Sequence, residues 1–345
     1  MSLYSEIFEQ PERIHSLLAT QRKTVEKVAA AIRERDVSYV FLAARGTSDN
    51  AGRYANYLLG AHNRLPLALA TPSLFTYYQQ PPRLKGALVV GVSQSGQSPD
   101  IVSVLEEGKR QDCPTLAITN ETASPLTRAA EFVLDIQAGI EKAVAATKTY
   151  TAELMVIAML SAALADDKLA WKQLAGVGGW MKQSLKQDAM IAQAAQRYRY
   201  MRQCVVLGRG YNYATAFEWA LKLKELTYVE AEPYSSADFQ HGPIAMVERG
   251  FPVMIVAPQG KVFASMLDMM AHLRRDFLAD LLVISNAKKA LSLAQVPFSI
   301  PAEVPEWLTP LVSILPAQLL AYHLTLIKGF DADQPRSIRK VTETK

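Results

Sequence analysis

Four short apolar runs in the first half of this chain recur in the second half, in the same order. Tyr39–Gly46 (YVFLAARG) matches Cys204–Gly210 (CVVLGRG), each ending in Arg-Gly, and Ala87–Ser93 (ALVVGVS) matches Pro252–Pro258 (PVMIVAP). Thr115–Asn120 (TLAITN) matches Leu281–Asn286 (LLVISN), and Phe132–Ile136 (FVLDI) matches Val296–Ile300 (VPFSI). The offsets all lie between 164 and 166 residues. A fourfold match at nearly constant spacing marks a duplicated folding unit, so each half must form the same architecture.

Continuous rather than alternating apolar runs mark strands buried on both faces, hence a parallel sheet covered by helices. Ser48–His62 (SDNAGRYANYLLGAH) and Ala214–Val229 (ATAFEWALKLKELTYV) carry the spacing of crossover helices. The expected fold is α/β, with two tandem domains that are each a parallel sheet flanked by helices, a flavodoxin-like three-layer sandwich. Their expected spans are about residues 36–165 and 196–330. A helical arm (1–35) precedes them, a helical linker (166–195) joins them, and a polar tail (331–345) follows.

A length of 345 residues, half of them apolar and 20% charged, provides core enough for two soluble domains. A net charge of +4 without any Lys/Arg block suits small anions and argues against nucleic acid. Cys113 and Cys204 lie far apart, with neither a disulfide framework nor zinc-ligand spacing. The opening MSLYSEIFEQPERIHS has charges and a proline where a secretory leader needs an apolar core. The longest apolar run, Leu154–Ala165, is too short to span a bilayer and contains Ser161. A soluble cytoplasmic protein, with no membrane segment, is expected.

Ligands of open parallel sheets bind beyond the carboxyl ends of the strands. There the first half places Arg45-Gly46-Thr47-Ser48 and Ser93-Gln94-Ser95-Gly96-Gln97-Ser98. Ser98-Pro99 has the form of an N-cap and first helical residue, and a helix N-terminus favours an anion. Hydroxyls converging there, with a glycine for close backbone approach, predict a phosphate cradle. The equivalent second-half loop, APQGKVF, has no serine. A dinucleotide site is rejected, because GRGYNYA places Tyr213 at the third glycine position.

In the second half, Glu218, Lys222 and Glu225 fall at i, i+4 and i+7, a narrow charged line on an otherwise apolar helix. As a surface stripe its ion pair would be worth only ~0.3 kcal/mol; in a polar cleft it could shuttle a proton. His241 sits in a loop before Gly242-Pro243, with no second histidine at metal spacing. Neither a metal nor a redox cofactor is expected.

These motifs together resemble the sugar isomerase (SIS) family, and within it the isomerase halves of glutamine–fructose-6-phosphate aminotransferases. GTS, SQSG, ATKTYTAEL, LGRG, EWALKLKELTYVEAE, HGP, QLLAYHLTLIKG and DQPRS stand in the family's order over nearly the whole chain. The resemblance implies that Thr47, Ser48, Ser93, Gln94, Ser95, Ser98 and Val144 bind a sugar phosphate. It implies that Glu225 moves a proton between C1 and C2, with Lys222 and Glu218 beside it. His241 would open the sugar ring, reaching in from the other subunit of a homodimer, and Lys340 would form an imine with the open-chain ketose. Gln240, Ala146 and Arg339 depart from the family's pattern, and its glutaminase half has no counterpart here. The resemblance therefore leads to an isomerising deaminase, converting glucosamine 6-phosphate to fructose 6-phosphate and ammonia. Another phosphosugar isomerase or a ketosamine-phosphate deglycase is the nearer alternative. A non-catalytic sugar-phosphate sensor is the distant one.

Overall fold

The computed structural model describes residues 2–340, which divide into two compact units. The first unit comprises Glu12–Glu141, Lys148–Gly176 and the tail residues Arg339 and Lys340. The second comprises the residues up to Pro11, the short segment Lys142–Thr147, and Val177–Ile338. The chain thus changes unit more often than the expected linear succession of arm, domain, linker, domain and tail. The remaining tail residues, 341–345, lie outside the described residues.

The first unit is built on five parallel strands: β1 (Tyr39–Ala43), β2 (Leu67–Leu69), β3 (Ala87–Val92), β4 (Thr115–Thr119) and β5 (Phe132–Asp135), in the order β2-β1-β3-β4-β5. Alternate side chains leave opposite faces. Phe41, Ala43, Ala87, Val89 and Ala117 meet Ile101, Val104, Leu105 and Leu126 of the helices Pro99–Arg110 and Pro125–Ala129. On the other face, Leu42 packs on Gly52 of the helix Gly46–Asn63, and that helix packs on Lys148–Leu164. A side chain at Gly52 would have its Cβ 2.8 Å from Leu42, so a glycine is what lets this helix lie on the sheet.

The second unit repeats the plan with β6 (Gln203–Gly208), β7 (Glu230–Ser235), β8 (Pro252–Val256), β9 (Asp280–Ser285) and β10 (Val296–Ser299), ordered β10-β9-β8-β6-β7. Read outward from β6, this is the order of the first sheet, so the duplication inferred from sequence is structural. Two strands were not expected, β2 and β7. Both are edge strands, and β7 (EAEPYS) carries Pro233, which an edge tolerates because it need not donate on both sides.

The helix Thr309–Ile327 packs on Tyr213–Thr227 and Asp188–Ala195 within the second unit. By length and composition the stretch Glu306–Ile327 could cross a membrane, yet most of it is buried, as befits a core helix. It is a longer apolar segment than Leu154–Ala165, because Pro316 and polar Gln318 interrupt the run in sequence without interrupting the helix.

Candidate active site

In the first unit the helices Gly46–Asn63 and Pro99–Arg110 begin at the carboxyl ends of the paired neighbours β1 and β3. Two helix N-termini, each with unpaired N–H groups and partial positive charge, therefore open at one sheet edge. Thr47 and Ser48 lie in the first turn of one helix, and Ser98 stands before Pro99 of the other. Ser98 has the extended backbone of an N-cap, but its side chain accepts no cap bond, contrary to the sequence expectation. Its hydroxyl makes no hydrogen bond among the described residues.

The loop between β3 and this helix is shaped from within. Ser93 Oγ accepts from the Gly96 N–H at 3.2 Å and Ser95 Oγ from the Gln97 N–H at 3.3 Å, which leaves both hydroxyl protons available to an anion. The Gln94 carbonyl accepts from the Asn120 N–H and the Thr119 hydroxyl, anchoring the loop to the end of β4. Gly96 adopts φ 60°, and a Cβ there would lie 2.1 Å from Ser124 Oγ. The sharp turn thus requires glycine.

Three buried carboxylates that the sequence left unremarked complete this region. Arg45 Nε donates to Asp100 Oδ2 at 2.8 Å, tying the β1 loop to the first turn of the second helix while the guanidinium stays half exposed. Asp100 is fully buried. Ser48 donates to the buried Glu153 carboxylate at 2.7 Å, so its hydroxyl proton is already engaged. Of the expected phosphate ligands, Ser93, Ser95 and Ser98 are poised as donors, whereas Ser48 is poised chiefly through its place in the helix turn.

Glu141 is the third such group. Its carboxylate accepts from Thr149 N (3.2 Å), Thr149 Oγ1 (2.8 Å) and Lys340 Nζ (2.5 Å). Lys340 is thereby held in the first unit by a buried carboxylate. To attack a carbonyl it would have to leave this pairing and shed a proton. Val144 belongs to the segment Lys142–Thr147 of the second unit, where buried Glu6 accepts the N–H groups of Lys142 (2.5 Å) and Ala143 (3.2 Å).

The corresponding loop of the second unit, which has no serine, packs on a protein carboxylate. The carboxylate of Glu306 packs against Gly260 in the loop after β8, where a Cβ would lie 2.3 Å from its Oε1.

On the helix Tyr213–Thr227 the expected charged line is present. Lys222 is buried, its Nζ 2.5 Å from Glu225 Oε2 and 3.4 Å from Glu218 Oε1. Glu218 is fully buried, while the Glu225 side chain keeps 23% of its surface exposed. A buried ammonium needs carboxylate partners to offset its lost hydration. Of these two carboxylates, Glu225 is the one that solvent reaches. Trp219, Leu223 and Leu226 surround the line, so this is no surface stripe. His241 caps the short helix Ser236–Gln240, is exposed, and its ring makes no hydrogen bond among the described residues.

Residues 35–163 and 198–328 each match the SIS domain model. The chain belongs to the SIS family. Its two SIS segments coincide with the two sheets described above. A glutamine–fructose-6-phosphate aminotransferase [isomerizing] from Thermus thermophilus is 33% identical over 351 residues, covering 98% of this chain. The chain spans 58% of that relative's length. Among solved structures, the C-terminal domain of glucosamine-fructose-6-phosphate aminotransferase from Francisella tularensis superposes with a TM-score of 0.86 at 27% identity, covering 96% of this chain and 98% of that one. A Silicibacter pomeroyi protein, described only as a candidate phosphosugar isomerase, gives 0.88 at 32% identity, covering 96% and 100%. The SIS assignment and the likeness to aminotransferase isomerase halves stand as the sequence implied.

Proposed function

We propose that this SIS protein is a phosphosugar isomerase that acts as a deaminase, converting glucosamine 6-phosphate and water to fructose 6-phosphate and ammonia. The observation that carries the reading is the pairing of buried Lys222 with Glu225, a carboxylate that remains open to solvent on an otherwise apolar helix. Such a carboxylate can accept a proton from one sugar carbon and return it to the next, while the lysine steadies the charge that develops.

Roles divide by chemistry. The serine loop and helix N-termini of the first unit suit the phosphate, and holding it positions the reacting carbons. His241, exposed and unengaged, suits ring opening, contributed across a homodimer. Lys340 suits transient imine formation once released from Glu141. Proton transfer through an enolamine gives the ketimine, and water then releases ammonia. The relatives' names support the substrate class, a hexose phosphate bearing or receiving nitrogen at C2. A cytoplasmic setting accompanies this reading.

The test is to incubate the purified protein with glucosamine 6-phosphate and assay ammonia and fructose 6-phosphate. Absence of turnover, with ready isomerisation or deglycation of another phosphosugar in a substrate panel, would replace the deaminase by the neighbouring activity.

A further inference from the structure

We infer that the second unit carries a second anion site, for a small phosphate dianion, at the amino ends of β6 and β7. A cavity of about 1070 Å³ opens there, lined by Gln203 and Arg202 before β6 and by Tyr228 and Glu230 at the start of β7. It lies at the sheet edge opposite the Arg209-Gly210 loop, and Glu225, His241 and Lys340 are not among its walls. Its volume suits a metabolite-sized ligand.

Four cations converge on this cavity: Arg199, Arg202, Lys328 and Arg336. None forms an ion pair with a carboxylate among the described residues. Lys328 donates to the Met201 carbonyl at 2.7 Å, and the Arg336 guanidinium lies 3.8 Å over the Tyr228 ring. The Arg336 backbone N–H also donates to the Tyr228 hydroxyl at 2.9 Å. These contacts hold Lys328 and Arg336 without neutralising them. Partial burial lowers the pKa of Lys328, and the nearby charge of Arg202 lowers it further, so these two cations repel each other.

Local compensation accounts for only part of the cluster. The helices Tyr213–Thr227 and Thr309–Ile327 both end at this cavity. Each helix C-terminus is worth about half a negative charge. With Glu230 they offset about two of the four cations. About two positive charges are left, which is the charge of a phosphate dianion, and arginine forks match phosphate oxygens geometrically. The Gly96 loop of the first unit recognises phosphate through hydroxyls and helix ends; this site recognises it through cations, so its binding falls more steeply with salt.

Calorimetric titration of the full chain at low salt, with inorganic phosphate and separately with glycerol 3-phosphate, tests the inference. The wild type is expected to show two sites. Ser95→Ala/Ser98→Ala removes the first and leaves the salt-sensitive second. Arg202→Glu/Lys328→Gln weakens the second by about tenfold or more and leaves the first. Tighter binding of the ester names a phosphate monoester as occupant; the reverse order names free phosphate. A single site abolished by the serine variant, or a second site indifferent to Arg202→Glu/Lys328→Gln, overturns the inference. Should that variant fail to fold by thermal melting, Arg199→Gln/Arg336→Gln makes the same comparison. The serine arm also separates failure here from failure of the proposed function, which depends on the first site and on Glu225.

Discussion

Lys222 Nζ lies 2.5 Å from the Glu225 carboxylate, with the lysine buried and the glutamate in contact with solvent. Burial and exposure within one ion pair divide its labour: the lysine is fixed and the carboxylate can meet a substrate. Glu225→Gln keeps the shape and removes the base. Its kcat on the phosphosugar should fall by about 10²–10⁴ while KM changes little. Unimpaired turnover would show that the carboxylate is only structural.

Lys222→Met makes the complementary prediction. It leaves the fully buried Glu218 without its ammonium partner, and removing one member of a buried pair costs about 3–5 kcal/mol. Urea unfolding should reveal a loss of that order. A loss below about 1 kcal/mol would mean that water reaches Glu218.

Gly96→Ala tests the cradle without removing any of its hydroxyls. Its added Cβ would stand 2.1 Å from Ser124 Oγ at a residue whose φ is 60°. The loop must shift, at a cost of about 1–3 kcal/mol. KM for the phosphosugar should rise by about tenfold or more. An unchanged KM would place the phosphate elsewhere.

Lys340 donates to buried Glu141, so it is positioned but engaged. Borohydride added in the presence of fructose 6-phosphate should trap a reduced adduct on Lys340, located by peptide mass spectrometry. Lys340→Arg should abolish it. An adduct on another lysine would remove Lys340 from the imine step.

The repeat was legible because strands buried on both faces have little choice of residue, so β1, β3 and β4 and their counterparts β6, β8 and β9 read as continuous apolar runs. The edge strands β2 and β7 were not legible, since β2 is only three residues long and β7 has a polar, proline-containing sequence. The Glu218–Lys222–Glu225 line was readable because helical spacing brings near neighbours together. Glu153 and Glu141 were not, because their partners Ser48 and Lys340 lie 105 and 199 residues away. Nor could sequence reveal that Glu306 packs against Gly260 in the loop after β8, since the two lie on different elements far apart in the chain.

Alkaline pH should expose the packing of the second unit. Cys204 is fully buried on β6, and burial, with Glu232 adding its negative charge, pushes its thiol from 9.0 up to about 12. The folded pKa is raised, so its contribution to stability is complete below the unfolded value. As pH rises past 9, the unfolded thiol ionises and the native one does not, until about 12. Stability should therefore fall across that window, this group contributing a slope of about 1.4 kcal/mol per pH unit. Tyr211, raised by burial to about 12, adds to the fall at its upper end. Cys204→Ala should reduce the slope between about pH 9.5 and 11 by about one proton, measured as urea-unfolding free energy against pH. A native thiol that reacts readily with a disulfide reagent at about pH 8, or a slope unchanged by the substitution, would show that Cys204 is not sealed within the core.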